Sequence, residues 1–174
     1  MLVQEFNAMP RAEVVTALTA CARIESWTTA LADARPFADQ DAVLAAAREL
    51  AAGWTIAEVD GALADHPRIG ERHTGDAAAA ALSSREQAGV GDDADVAARL
   101  RAGNAAYEEK FGRIYLVRAK GRSAEELLAL LDQRLTHDPA TEDAVVIGQL
   151  AEIALLRLGD LLDAADESPT QAIA

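Results

Sequence analysis

The chain has 174 residues, 51% of them hydrophobic, which is enough for one domain with its own core and too apolar for a disordered segment. Lys and Arg number 16 against 29 Asp and Glu, a formal net charge of -13. That balance argues against nucleic acid and against an anionic membrane surface, since both are bound by clustered cations that displace counterions. The expected partner is a small molecule or another protein.

Alanine, leucine and glutamate dominate while aromatic residues make up 4%, so helix is favoured nearly everywhere. Asn7 is placed to cap a first helix that uses Pro10 in its opening turn and runs to about residue 22. Ser26 opens a second over 27–34, closed by Pro36. A third runs from Asp39 to about Ala52, with Gly53 as its C-terminal cap. Thr55 and Glu58 form a capping-box pattern for a fourth, which must end before His66-Pro67, because proline disfavours helical geometry at the residue before it.

Residues 76–82 can make a short helix, and Ser83 starts a brief turn that Gly89 and Gly91 end. A longer helix over 93–110 carries Val96, Leu100 and Tyr107 at helical spacing and stops at Gly112. Ile114-Tyr115-Leu116-Val117 is apolar, β-prone and too short for a helix, so it reads as extended. Ser123 with Glu126 caps a helix to about residue 136, and Asp138-Pro139 launches a last one to about residue 165. The expectation is an all-α, single-domain bundle of about eight helices over 6–165, with one short extended segment and a frayed tail at 166–174. The lone Cys21 has apolar neighbours and reads as a buried thiol in a reducing compartment. With no N-terminal export signal and no apolar run long enough to span a bilayer, a cytoplasmic protein without membrane contact is expected.

The densest chemistry lies between His66 and Gln87. His66-Pro67, Ile69-Gly70-Glu71 and Ser83-Ser84-Arg85-Glu86-Gln87, then Asn104 with Tyr107, Lys110-Phe111-Gly112, Glu152 and Arg157, together resemble the OHCU decarboxylases, which act on 2-oxo-4-hydroxy-4-carboxy-5-ureidoimidazoline. The resemblance extends from Phe6-Asn7 through Trp27 and Arg35-Pro36-Phe37 to about Leu162. It implies an all-helical, usually dimeric enzyme that needs no metal or organic cofactor and yields (S)-allantoin and carbon dioxide. It further implies His66, Glu86 and Arg157 as catalytic residues. Pro67, Ser83, Gln87 and the backbone of Val117, Arg118, Ala119 and Lys120 would bind the ureidoimidazoline.

The residue types suit that chemistry. His66 can be protonated or neutral near pH 7, Glu86 can orient it or accept a bond from substrate, and Gln87 offers donors and an acceptor to an amide-rich ligand. Arg157 would give a fixed charge-assisted contact to an anion. Plainer readings exist for each. Ser83-x-x-Glu86 is also a capping box, His66 could merely brace a loop, His73 is a solvent-exposed residue on this view, and Arg157 could pair with Glu152 or Asp160 along its helix. Two other function classes compete. One is a metal-dependent hydrolase using His66, Glu71 and His73, whose offsets do not fit a helical zinc motif. The other is an acidic helical interaction module without catalysis.

Overall fold

Local capping and helical periodicity account for most of the observed elements. The computed structural model describes residues 1–64 and 94–163, which contain eight helices and no strand. The expected short helix at 76–82, the turn at Ser83 and the frayed tail lie outside the described residues. No helix among the described residues is long and apolar enough to cross a membrane.

The helices are α1 (Val3–Ala8), α2 (Arg11–Cys21), α3 (Glu25–Asp33), α4 (Gln40–Ala51), α5 (Ile56–Leu63), α6 (Ala94–Phe111), α7 (Ala124–Arg134) and α8 (Pro139–Asp163). Their packing separates into two units, Met1–Gly53 with the chain from Ala154 onward, and Trp54–Ile153. α8 runs from the second into the first.

In the first unit, Val14, Leu18 and Cys21 of α2 and Val43, Ala47 and Ala51 of α4 are buried at steps of three or four residues, the period of one helix face. Trp27 of α3 is buried, and its indole Nε1 donates to the Ala47 carbonyl at 2.9 Å, satisfying the polar edge of a large apolar side chain. Asp39 caps α4 by accepting from the Ala42 N–H at 2.8 Å. Gly53 follows with its N–H on the Leu50 carbonyl, without the left-handed backbone expected of a glycine cap.

Two helix starts differ from expectation. Asn7 does not open the first long helix but lies inside α1, where its side chain donates to the Phe37 carbonyl at 2.8 Å and accepts from the Phe37 N–H at 2.9 Å. A long-range double bond to backbone has displaced the local cap. Ser26 likewise does not cap α3, which starts at Glu25 behind Ile24, a residue with no capping side chain. Arg35 closes the same region. It donates from Nη1 to the carbonyls of Phe6 and Met9, both at 2.7 Å, and from Nε to that of Ala32 at 2.9 Å.

In the second unit, Thr55/Glu58 and Ser123/Glu126 form full capping boxes for α5 and α7. Val96, Leu100 and Tyr107 are buried along one face of α6, in a cluster with Tyr115, Val117, Leu127 and Leu131. A Cβ on Gly103 would come within 2.5 Å of Leu131 Cδ2, so α6 and α7 approach closely there. Gly112 (φ 70°) ends α6 and Gly121 (φ 82°) precedes α7, both in the left-handed region that glycine enters without a steric penalty.

Candidate functional site

Between those glycines, residues 114–119 run without helix, turn or bend, in keeping with the extended segment expected there, although the segment pairs with no strand among the described residues. Side chains hold it instead. Arg134 donates from Nη1 to the Leu116 carbonyl at 2.5 Å, and the Arg118 N–H donates to Gln149 Oε1 on α8 at 2.9 Å. Arg122 donates to the Arg118 carbonyl at 2.8 Å, and the Arg122 N–H closes a turn on the Ala119 carbonyl at 3.0 Å. The Arg118 guanidinium lies 3.4 Å from Glu152, which sits one turn beyond Gln149 on the same helix. Val117 and Ala119 bury their side chains, whereas Lys120 is exposed.

Beneath the segment is a buried polar cluster that the sequence reading passed over. Glu142, in the first turn of α8, accepts from Arg134 Nε at 2.7 Å and from the Tyr107 hydroxyl, and faces His137 Nδ1 at 2.8 Å. Arg134 also lies over the rings of Tyr115 and Tyr107, 4.9 and 5.5 Å from their centroids. Burial alone would raise the Glu142 carboxyl, but hydrogen bonds from Arg134 and Tyr107 outweigh it and hold the group below the usual carboxylate range. Burial, with the bond to Glu142, pushes the Tyr107 hydroxyl up. Burial likewise raises Tyr115 to about 12. Lys110 donates to the carbonyls of Leu135 and His137 at 2.7 and 2.8 Å, satisfying acceptors past the end of α7. The signal for this cluster was present in the chain. Arg134 follows Leu127 and Leu131 on the apolar stripe of α7, and Glu142 precedes Val146 and Leu150 on that of α8.

Arg157 belongs to the first unit. It is 4% exposed, and its Nη1 donates to the Cys21 carbonyl at 3.4 Å. Burial pushes the Cys21 thiol up to about 12, opposed by the Arg157 charge. Glu152, one suggested partner for Arg157, is instead beside Arg118. A buried arginine three-quarters of the way along α8 is therefore not a solvated surface charge. His66, Pro67, Ser83, Glu86 and Gln87 lie outside the described residues, as do Glu71 and His73 of the hydrolase reading.

The profile of the OHCU decarboxylase family matches residues 7–159, most of the chain. The chain belongs to the OHCU decarboxylase family. It is 34% identical over 131 residues to the 2-oxo-4-hydroxy-4-carboxy-5-ureidoimidazoline decarboxylase of Amia calva, covering 74% of this chain and 75% of that one. It is 33% identical over 112 residues to the enzyme of the same name from Mus musculus, covering 63% of each. Its fold is similar to a crystal structure of an OHCU decarboxylase in the presence of (S)-allantoin, with TM-score 0.70 and 22% identity over 83% of this chain and 95% of that one. A crystal structure of an (S)-allantoin synthase gives the same TM-score at 20% identity, over 94% of this chain and 55% of that one. The all-α fold expected from composition is thus shared with the OHCU decarboxylase structure.

Proposed function

We propose that the protein is a carboxy-lyase that converts 2-oxo-4-hydroxy-4-carboxy-5-ureidoimidazoline to (S)-allantoin and carbon dioxide in urate degradation. The family match over residues 7–159 carries this reading. The chemistry makes modest demands on the protein. When the bond from the ring carbon to the carboxylate breaks, its electron pair passes into the ring toward the adjacent imine nitrogen, so the substrate supplies its own electron sink. The former imine nitrogen takes a proton as the charge reaches it, and the resulting enol then takes a second proton at the carbon that bears the ureido group while its hydroxyl proton is lost to leave the ring carbonyl. Delivery of the ring proton to one face sets the (S) configuration.

Within that scheme His66 handles the proton, Glu86 orients it or binds the substrate hydroxyl or ureido group, and Gln87 meets the amide-rich ring. Pro67 and Ser83 complete that side. Backbone groups of Val117, Arg118, Ala119 and Lys120 bind polar edges of the substrate, and Arg157 meets its negative charge. Support for Arg157 comes from its burial, since a guanidinium withdrawn from water interacts strongly with an anion. The catalytic domain spans 6–165, and the enzyme acts in the cytoplasm as a homodimer with no metal or organic cofactor.

The test is direct. Freshly generated substrate is mixed with purified protein and followed by circular dichroism. Optically active allantoin forming faster than in buffer is the expected result; the same slow, racemic product with and without protein would overturn the reading.

A further inference from the structure

Two bonds hold the segment over 116–118. The Leu116 carbonyl is taken by Arg134 and the Arg118 N–H by Gln149. Over residues 114–119 the chain neither turns nor bends. Where such a run is extended, successive peptide groups point to opposite sides, so that the carbonyl of one residue and the N–H two positions later face the same way. The N–H groups of Val117 and Ala119 therefore face the other edge, together with the Val117 carbonyl.

We infer that Gln149 is a positioning residue for catalysis: by accepting the Arg118 N–H it fixes the register of residues 117–120, so that the N–H groups of Val117 and Ala119 are directed at oxygen atoms of the substrate. This rests on the proposed decarboxylase reading, in which that backbone binds substrate. Arg118 itself donates to protein through its N–H, which removes its amide from those that can meet the substrate. The grip has two points, because Glu152 faces the Arg118 guanidinium one helical turn further along α8. A backbone donor off register by a fraction of an ångström loses much of its hydrogen bond to the bound substrate, which is why support behind the contacting group matters. The side-chain amide of Gln149 is well suited, since its oxygen accepts from the backbone while the chain stays neutral.

The experiment uses the full-length protein and compares Gln149→Leu, Gln149→Ala and Gln149→Glu with wild type in steady-state decarboxylation, beside melting curves and amide hydrogen exchange at Arg118. Gln149→Leu keeps the bulk but removes the acceptor, and Gln149→Ala lets water reach the amide. Both should raise KM about fivefold or more, the equivalent of one ordinary hydrogen bond, with kcat less affected and faster exchange at Arg118. Gln149→Glu retains an acceptor oxygen and should hold KM within about twofold of wild type. Turnover by wild type with KM unchanged in both the Leu and Ala variants, or raised equally in all three, would overturn the positioning role while leaving the decarboxylase reading standing. Absence of turnover by the wild-type protein would overturn both.

Discussion

Glu142 and Arg134 face each other in the interior, the two residues 0% and 4% exposed, with Arg134 Nε 2.7 Å from Glu142 Oε1. Each lies on the apolar stripe of its helix, and each depends on the other for compensation. A buried pair of this kind need not add stability relative to an apolar pair, yet removing one partner strands a charge in a poorly polarisable interior.

Glu142→Leu and Arg134→Met should therefore each cost about 3–5 kcal/mol of unfolding free energy, and the double variant less than the sum of the two. Urea unfolding of all four proteins completes the cycle. Strict additivity would show that the two side chains are not coupled.

Acid should act through the same pair. Burial raises the Glu142 carboxyl, the bonds from Arg134 and Tyr107 lower it, and the net displacement is downward. A carboxyl lowered in the folded state gives stability that is fully present above its unfolded value, about 4.3, and is lost as pH falls through the folded value. Unfolding free energies measured at steps below about pH 5 should fall more steeply for wild type than for Glu142→Gln. Parallel slopes would remove Glu142 from the account of acid lability.

Cys21 offers a chemical check on the first unit. Its thiol, pushed to about 12 by burial against the opposing influence of Arg157, is protonated at neutral pH, and only the thiolate attacks disulfide reagents. An aromatic disulfide reagent should label the native protein very slowly and the urea-unfolded protein at once. Rapid stoichiometric labelling of the native protein would contradict the burial.

For the proton-handling role, His66→Asn should lower kcat by about 10²- to 10⁴-fold while the far-ultraviolet spectrum stays helical. Glu86→Gln separates catalysis from helix capping, because glutamine also serves in a capping box. Its activity should fall far more than its melting shift can explain. Near-normal turnover in either folded variant would take that residue out of the mechanism.

Arg157→Lys preserves charge but removes the planar fork, and should lower kcat/KM by about 10- to 100-fold, the range expected when a hydrogen bond to a charged group is lost. Steady-state kinetics of Arg157→Lys and Arg157→Ala, read beside their melting curves, decide the matter. Unchanged efficiency in both would leave Arg157 as a structural arginine that braces the Cys21 carbonyl.

What could be read from the chain was whatever is local. Thr55/Glu58 and Ser123/Glu126 are three residues apart, so their capping boxes are visible as pattern and appear in the structure as hydrogen bonds. Gly112 and the stripe from Val96 to Tyr107 were legible for the same reason. The errors arose where distant partners decide. Nothing near Asn7 announces Phe37, 30 residues away, and no local rule links Tyr107 to Glu142, 35 residues on. At the candidate site, residue types suggested roles for Arg157 and for the backbone at 117–120. The support behind that backbone, from Arg134 and Gln149, became visible only when α7 and α8 were in place.

The double bond between Asn7 and Phe37 also sets how freely these two positions can vary. Position 37 contributes only its peptide groups to that pairing, so in this respect any residue except proline can stand there. Position 7 must present one donor and one acceptor at a fixed reach. Aspartate keeps the acceptor and loses the donor, leucine loses both, and glutamine has the right atoms on a chain one carbon too long. Such asymmetry makes the asparagine far less replaceable than the phenylalanine backbone it holds, although neither carries any chemistry of the reaction.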